Sequence, residues 1–260
     1  MNVFQNMIEL YNHLPPDSTY RFAIHNILMN LPEVAASSIY DAVEITHTSR
    51  TTLWRMLQML GYENYSEFRV ALKQAVHNYT YYNRLTGDRE EDDARIVSRI
   101  SEQMETAAAL VHSKLDAAAL RQMARRVSEK KHIFFFFPYR SAAIYSFQQN
   151  LAMAGISTDM YCLLPEMLKC VQDGGDGALA FCTTIEYAET KDVHRLFREF
   201  KSKGVEIALF SSGPSRYDQY ADHYLCRGSG GAGVLSQLLL FDMYFYALSD
   251  LFRCRYLPDH

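Results

Sequence analysis

The amino-acid sequence is poor in the features of secreted and metal-binding proteins. Its five cysteines form no C-x-x-C pair and follow no regular spacing. Unpatterned thiols are typical of a reducing compartment, and no His, Cys and Asp spacing resembles a zinc site. The cysteines are Cys162, Cys170, Cys182, Cys226 and Cys254. We therefore expect no disulfide framework, no metal site and no bound cofactor.

Targeting and membrane-spanning segments are not indicated either. The first residues, MNVFQNMIELYNHLPPDS, lack the basic start and the long apolar core of a signal peptide. The sequence shows no run of about 18 apolar residues, the length that a transmembrane helix needs. The most apolar short segment, KHIFFFFPY, predicts a buried strand instead. These features predict a cytoplasmic protein with no membrane partner.

The charge balance excludes a histone-like, wholly basic protein. The chain has 26 Lys and Arg residues against 30 Asp and Glu residues, which gives a formal net charge of −4. A local arginine cluster can still bind nucleic acid, but the affinity that comes from charge alone will be low. Hydrophobic residues make up 48% of the 260 positions, which is enough for a packed core and suggests two domains.

Three regions follow one another along the chain. Residues 1–76 show helical periodicity with short breaks and predict an all-α domain. Residues 77–93, HNYTYYNRLTGDREEDD, are polar and acidic with a turn signal at 86–88, and they predict a linker. Residues 94–260 form the last predicted domain.

The last region alternates short apolar runs with helix-like segments. This alternation predicts an α/β fold with a doubly wound parallel sheet that is covered on both faces. Gly155 and Gly204 stand where helices are expected to end. The predicted strands cover residues 133–137, 160–163, 178–182 and 207–210, and the predicted helices cover 141–154 and 191–203.

Residues 37–61 have the pattern of a helix-turn-helix. A serine at 37 or 38 precedes a short apolar-periodic segment, a tight connection follows, and Ser49 is placed to cap the next helix. Leu53, Leu57 and Leu60, with Met56 beside them, predict the inward face of that helix. Gly61 ends it. In a helix-turn-helix the first turn of the second helix enters the major groove of DNA.

Residues 48–68, TSRTTLWRMLQMLGYENYSEF, resemble the helix-turn-helix of RpiR/MurR-type transcriptional regulators. The shared pattern is Ser-x-x-Thr-apolar-x-Arg-apolar, then Leu-Gly-aromatic, then aromatic-x-Glu-Phe. The resemblance covers about residues 1–76 and implies binding of double-stranded DNA.

The chemistry of the side chains suggests their roles on DNA. Arg50 can reach a guanine edge or a phosphate, and Thr51 offers a hydroxyl and a methyl group. Thr48 and Ser49 lie at a helix N-terminus, which favours a phosphate oxygen. Thr52 is expected to turn toward the protein.

Two further side chains of this helix have open roles. Arg55 is either a phosphate contact or an intramolecular partner of Glu44. Trp54, the sole tryptophan, is expected to pack at a helix–helix contact, and a role facing the DNA backbone is the alternative.

The order of elements after residue 94 resembles the sugar isomerase (SIS) domain of the same regulators. That resemblance implies a phosphosugar held by a Gly-x-Gly-x-Ser turn after the first strand and a Ser-x-Ser-Gly-x-Thr turn after a later one. Here Phe137 and Tyr139 occupy the glycine positions, and we expect their rings to fill the space near the backbone amides. Ser141 matches, and Arg140 offers a charged donor for an anion instead.

The second turn has two alignments that differ by three residues. Counting from the strand places Cys182 and Thr184 at the serine positions. Counting back from Gly204 places Ile185 and Tyr187 there, with Glu189 and Thr190 matching the end of the motif. The candidate ligand-binding residues are Arg140, Ser141, Thr183, Thr184 and Glu189. For Ser141, Thr183 and Thr184 the alternative is a role in helix capping alone.

Two functions remain at this point. The first is a DNA-binding regulator, not an enzyme, whose SIS-like domain dimerises it. That domain either responds to a phosphosugar or related anion as well or has the dimerising role alone. The alternative is a sugar-phosphate isomerase with a helical extension, for which Glu186, Glu189 and His194 are the acid–base candidates. Residues 234–252 are apolar nearly all round, so they predict a buried helix and a homodimer or homotetramer.

Overall fold

The computed structural model describes residues 3–77, 92–137, 140–161, 164–174, 177–185, 191–211, 213–227 and 231–257. The chain divides into two compact units, Met1–Arg84 and Leu85–His260.

The described part of the first unit is helical. A single apolar cluster forms its core, and Met7, Ile24, Leu53 and Phe68 have no exposed surface. Its helices are α1 Val3–His13, α2 Thr19–Met29, α3 Leu31–Ala36, α4 Ile39–Thr46, α5 Arg50–Met59 and α6 Tyr65–His77.

The second unit is an α/β fold with a parallel sheet. The strand order is β2-β1-β3-β4-β5, and every pairing is parallel. Its elements are α7 Asp93–Lys114, α8 Ala117–Ser128, β1 His132–Phe136, α9 Ala142–Met153, β2 Ser157–Tyr161, α10 Leu164–Gly174, β3 Leu179–Thr183, α11 Lys191–Ser202, β4 Glu206–Ser211, a 3₁₀ helix Arg216–Tyr220, β5 His223–Arg227 and α12 Val234–Tyr256. The predicted fold class of the chain is confirmed.

The FFFF segment shows why β1 is apolar without interruption. Ile133, Phe135 and Phe137 belong to the core on one face of the sheet, and Phe134 and Phe136 to the core on the other. Successive side chains of a strand point to opposite faces, so a strand covered on both faces needs apolar residues throughout.

Two strand predictions were wrong in detail. β2 covers Ser157–Tyr161 rather than 160–163, because this edge strand is only half buried and its sequence STDMY carries little apolar signal. β5, the opposite edge strand, was not predicted for the same reason. Cys162 and Leu163 lie outside the described residues. Gly155 and Gly204 have positive φ angles of 73° and 66° just after α9 and α11, which confirms the predicted helix ends.

The helix α12 is less buried than its composition predicted. Leu240, Phe241, Phe245 and Leu248 pack into the core, but the opposite side, which includes Met243, is exposed. Within the described residues, α12 is also long and apolar enough to cross a membrane by length and composition alone, with 39% of that stretch buried. Polar residues such as Gln237, Asp242 and Asp250 interrupt this stretch, and the aromatic face of α12 is part of a protein core.

A charged cluster joins α8 to the amino end of the sheet. Lys130 Nζ lies 2.7 Å from Glu206 Oε1, and Arg126 Nη1 lies 2.8 Å from Glu206 Oε2. His223 Nε2 lies 3.2 Å from the same Oε2. Burial alone would raise the pKa of Glu206, but hydrogen bonds from Lys130 and His223, the charge of Lys130 and a hydrogen bond from Arg126 lower it to about 2.

The described cysteines are free thiols. Cys182 and Cys226 are buried, Cys170 is half buried and Cys254 is exposed. Burial raises the pKa of Cys182, so this thiol stays protonated at neutral pH. Cys162 lies outside the described residues.

Candidate nucleic-acid interface and candidate ligand site

The turn between α4 and α5 is held by local hydrogen bonds. His47 takes the left-handed conformation with φ of 50° and ends α4. Thr46 donates its hydroxyl to Ala42 O at 2.7 Å and lies 2.9 Å from the hydroxyl of Thr48. Asn26 Nδ2 donates to Thr46 O at 2.9 Å, which ties the turn to α2. The turn therefore has one defined geometry.

Both helices of the pair begin with a serine cap. Ser38 and Asp41 form a capping box at the start of α4. Ser49 Oγ accepts a hydrogen bond from Thr52 N at 3.0 Å at the start of α5, as its position in the sequence predicted. Thr52 is half buried, and its hydroxyl lies 2.9 Å from Ser49 Oγ.

One face of α5 is exposed from its first residue. Arg50, Thr51 and Arg55 are all exposed, while Leu53 and Leu57 are buried. The guanidinium of Arg50 lies over the ring of Tyr40, with 5.0 Å from Cζ to the ring centroid. The start of α5 thus presents a cationic side chain, which lies over an aromatic ring, to solvent.

The predicted position of Trp54 was wrong. Its side chain is 51% exposed rather than packed between helices. The inward face of α5 is filled by residues at positions 53, 56, 57 and 60, and Trp54 follows Arg50 by four positions, so the two share the outer face. Arg55 makes no ion pair with Glu44 within the described part of the chain.

A groove of about 460 Å³ lies beside the turn, within the first unit. The N-termini of α2 and α5, capped by Ser18 and Ser49, both line it. Backbone amides at helix N-termini attract anions, whereas the carboxylate of Asp17 opposes them. The lining residues are Pro16, Asp17, Ser18, Thr19, Phe22, His47, Thr48, Ser49 and Thr52.

The structure adds two residues to this surface that sequence reasoning missed. Tyr40 is 64% exposed, because the cap at Ser38 sets the rotation of α4 so that Ala42 faces the core instead. Ser18 caps α2 and accepts from Tyr20 N at 3.2 Å. The sequence signal for the N-terminus of α2 was the pair Ser18-Thr19, which follows two prolines closely.

Acidic side chains on α4 would oppose the binding of a polyanion beside the start of α5. Hydrogen bonds from the side chain and the backbone N–H of Ser38 lower the pKa of Asp41, so its exposed carboxylate is ionised at neutral pH. Glu44 is also exposed on α4. Both would repel phosphate groups that approach α4.

The candidate ligand residues of the second unit follow two adjacent strands. Arg140 and Ser141 come after β1, while Thr183 ends β3 and Thr184 follows it. The order β2-β1-β3-β4-β5 changes direction between β1 and β3. In open parallel sheets ligands bind at the carboxyl ends of the strands at such a switch point.

The described side chains at this edge have the following contacts. Arg140 Nη1 donates to Tyr145 Oη at 3.3 Å, and Ser141 Oγ caps α9 by accepting from Ile144 N at 3.4 Å. Thr183 is buried; its hydroxyl donates to Phe210 O at 3.2 Å and accepts from Ile185 N at 3.1 Å, so it holds β3 to β4. Thr184 N donates to Phe210 O at 3.0 Å.

Phe137 does not fill a ligand pocket as expected. Its side chain has no exposed surface, and its ring packs edge-on against Phe241 with centroids 4.8 Å apart. The ring lies in the core between β1 and α12, because Phe137 continues the inward-facing set of Ile133 and Phe135. Pro138 and Tyr139 lie outside the described residues.

The acid–base candidates of the alternative function are not brought together by the described residues. His194 Nδ1 lies 3.3 Å from Tyr220 Oη, and its ring contacts Tyr217 with centroids 4.7 Å apart. Glu186 and Glu189 lie outside the described residues. The described residues hold no group of three or more His, Cys, Asp and Glu side chains that could bind a metal ion.

The comparisons with known proteins give structural similarity only. No family model matches the chain, and no curated protein sequence matches it. It is similar to NanR of Vibrio vulnificus complexed with ManNAc-6P, with 18% identity, a TM-score of 0.49, and coverage of 98% of this chain and 92% of that chain. It is also similar to the sugar isomerase domain of an RpiR transcription factor from Sphaerobacter thermophilus, with 14% identity, a TM-score of 0.48, and coverage of 62% and 90%. Similarities at this level carry no inference about function.

Proposed function

We propose that this protein is a cytoplasmic, DNA-binding transcriptional regulator that is not an enzyme. The observation that carries the proposal is the exposed, serine-capped start of α5, with Arg50 and Thr51 outward after a tight turn. This is the position from which the second helix of a helix-turn-helix reads base edges in the major groove. The resemblance of residues 48–68 to RpiR/MurR-type regulators supports it.

Each side chain has a proposed role at the duplex. Arg50 reads a guanine edge, and Thr51 adds hydroxyl and methyl contacts to a neighbouring base. Ser49 and Thr48 hold a phosphate oxygen at the N-terminus of α5. Arg55 contacts a phosphate one turn further on. Thr52 acts through Ser49, because the two hydroxyl oxygens lie 2.9 Å apart at hydrogen-bond distance.

A single copy of this surface would bind DNA weakly. Two outward arginines on α5 face a duplex beside the acidic groups of α4, so few phosphates are neutralised. We therefore propose a homodimer that reads two half-sites, which doubles the contacts. Sedimentation of the free protein tests this, and a monomer at micromolar concentration would contradict it.

Selection of bound fragments from random DNA tests the function directly. We expect one enriched sequence with two half-sites about 10 base pairs, or a multiple, apart. Arg50→Ala should weaken the selected duplex by about 1 to 3 kcal/mol more than a scrambled duplex of equal length. Lys73→Ala, which removes an exposed cation from α6, is the matched control and should change both equally little. Absence of any enriched sequence would refute the proposal.

We also propose that the second unit binds a phosphosugar or related anion. Arg140, Ser141, Thr183, Thr184 and Glu189 are the proposed residues, with Arg140 as the charged donor. Support comes from the meeting of the β1 and β3 ends at the switch point of the sheet. The buried hydroxyl of Thr183 acts there as a support for the strand ends rather than as a direct donor.

Thermal unfolding with a panel of phosphosugars tests this second proposal. A ligand that binds only the folded state raises the melting temperature. We expect at least one phosphosugar to do so, and Arg140→Met to remove the effect. A flat response across the panel would leave the second unit with a dimerising role alone. Turnover of a ketose phosphate would favour the alternative enzyme.

A further inference from the structure

The sole tryptophan of the chain lies exposed on α5, the helix whose start carries the candidate nucleic-acid interface. Trp54 keeps 51% of its side chain accessible to solvent. Tryptophan is among the side chains that gain most from burial, so a half-exposed indole leaves apolar surface that a partner can cover. The surroundings of Trp54 indicate which kind of partner this is.

The indole of Trp54 stacks on no other ring and on no cation among the residues that the structure describes. The aromatic contacts of the first unit involve other side chains, such as Tyr62 and Tyr65 with Phe68. The guanidinium of Arg50, one helical turn before Trp54, lies over the ring of Tyr40 instead. The ring of Trp54 is therefore not engaged by the cation beside it.

The exposed surface of α5 around Trp54 is cationic. Arg50 precedes Trp54 by four positions, Arg55 follows it directly, and both arginines are exposed. The helix contains no Asp or Glu residue. A two-fold contact of this surface with a second copy would bring the arginines of both copies together, and like charges repel. A polyanion suits an indole between two arginines better, so the partner with the matching chemistry is nucleic acid.

The spacing along α5 places Trp54 further into the groove than Arg50. An α-helix rises about 1.5 Å per residue, so four positions put Trp54 about 6 Å beyond Arg50 along the helix axis. Successive bases of one strand are about 3.4 Å apart, so this distance corresponds to about two base pairs for a helix that lies along the groove. The apolar group that a base pair presents in the major groove is the 5-methyl group of thymine.

We infer that Trp54 is a specificity residue of the candidate nucleic-acid interface, and that its indole packs on the 5-methyl group of a thymine about two base pairs from the base that Arg50 reads. The partner is double-stranded DNA with a thymine at that place in each half-site. The inference rests on the proposed DNA-binding function, and it adds a base that the contacts of Arg50 and Thr51 do not specify.

Removal of single methyl groups from the selected duplex tests the inference. Deoxyuridine in place of thymidine keeps the base pair and removes only the 5-methyl group. Fluorescence anisotropy of labelled duplexes measures the affinity of the full chain for each substituted duplex. We expect one thymine per half-site whose replacement lowers the affinity by about 4-fold, which corresponds to the burial of one methyl group.

The variant Trp54→Ala shows whether the indole contacts that methyl group. It should bind the selected duplex about 10-fold more weakly and a scrambled duplex less than about 2-fold more weakly. In this variant the change to deoxyuridine at the same place should have no further effect, because the effects of removing the two partners of one contact are not additive. A thymine that Thr51 contacts would keep its methyl dependence in Trp54→Ala.

Control variants separate a lost contact from a damaged fold. Val70→Ala shortens an apolar side chain that is 55% exposed on α6, and it should change neither the affinity nor the methyl dependence. Trp54→Phe keeps an aromatic ring and should retain part of the methyl dependence. All three variants change exposed positions, so their melting temperatures should stay within about 3 °C of that of the natural chain.

The emission of Trp54 gives a second readout in the natural chain, because no other tryptophan contributes to it. An indole that leaves water on binding should shift its emission to shorter wavelength. We expect this shift with the selected duplex, and a smaller one with the duplex that carries deoxyuridine at the identified place.

Three results would overturn the inference without touching the proposed function. The selected sequence could hold no thymine whose methyl dependence is lost in Trp54→Ala. The loss of affinity in Trp54→Ala could be equal on selected and scrambled duplexes, which would place the ring on the DNA backbone. Unchanged DNA affinity together with altered sedimentation would assign the indole to a contact between copies. Selection that enriches no sequence would instead refute DNA binding itself, and the inference with it.

Discussion

The guanidinium carbon of Arg50 lies 5.0 Å from the centre of the Tyr40 ring, so the first residue of α5 contacts the first turn of α4. The two side chains are ten positions apart in the sequence and meet because the turn brings both helix starts to one surface. A cation over an aromatic face at an exposed site is stabilised by about 0.5 to 1 kcal/mol. The contact restricts the directions in which the Arg50 side chain can point.

Replacement of Tyr40 should weaken sequence-specific binding. Tyr40→Ala removes the ring, so we expect a loss of about 2- to 5-fold in affinity for the selected duplex and a smaller loss on scrambled DNA. Tyr40→Phe keeps the ring and should bind as the natural chain does. Fluorescence anisotropy with labelled duplexes measures both. Equal losses for the two variants would mean that the hydroxyl matters instead of the ring.

Ser49 has a structural role and a proposed contact role that two substitutions can separate. Ser49→Ala removes the cap of α5 and should cost about 1 kcal/mol of folding free energy. Ser49→Asp keeps a good cap but places a negative charge where a phosphate is expected, so it should retain stability and lose affinity for every duplex.

Chemical denaturation measures how much the cap contributes to the folding free energy. Unfolding is followed by far-ultraviolet circular dichroism and by the fluorescence of the sole tryptophan, Trp54. Ser66→Ala is the matched control, because Ser66 is exposed near the start of α6 and its side chain makes no hydrogen bond in the described part of the chain. Undiminished DNA affinity of Ser49→Asp would contradict the phosphate contact.

Phe137 is expected to stabilise the second unit rather than shape a ligand pocket. Phe137→Ala should cost about 3 to 5 kcal/mol, because it opens a cavity against Phe241 and Phe245 in a fully buried cluster. Met153→Ala, a change at an exposed position on α9, should stay within about 0.5 kcal/mol. Phe137→Gly, which places the glycine of the SIS motif at this position, should lower the melting temperature without improving the binding of any phosphosugar. Improved binding would show that the ring lies toward the ligand after all.

The low pKa of Glu206 predicts that the folded protein loses stability in acid. Its pKa falls from an unfolded value of 4.5 to about 2 in the folded protein, so it contributes stability that is complete above pH 4.5 and is lost as the pH falls toward 2. Glu206→Gln should lower the unfolding free energy at pH 7 by about 1 to 3 kcal/mol, because Lys130 and Arg126 lose their partner. It should also flatten the pH dependence in that interval.

Glu129→Gln provides the comparison for Glu206. It breaks an exposed pair with Arg125 on one helix and should change stability by less than about 0.5 kcal/mol. Urea titrations at several pH values measure both variants. An unchanged slope of stability against pH in Glu206→Gln would mean that other carboxylates carry the effect.

Local chemistry allowed part of the fold and of the candidate interface to be predicted. The caps at Ser38 and Ser49 begin α4 and α5, and the buried set at Leu53 and Leu57 orients α5, because each depends on residues within one or two helical turns. The apolar run of β1 likewise shows that both faces of its strand are covered. The edge strands β2 and β5 were hard to predict, because partly exposed strands lack a continuous apolar run in the sequence.

What the sequence by itself determined is where helices and central strands begin and end, since capping, periodicity and glycine conformation act between near neighbours. What only the tertiary structure decided is which side chains from distant segments meet: Arg50 on Tyr40, and Phe137 on Phe241. The exposure of Trp54 was decided in the same way, because the inward face of α5 was already filled. Such contacts depend on how whole elements pack, and no short segment of the chain contains that information.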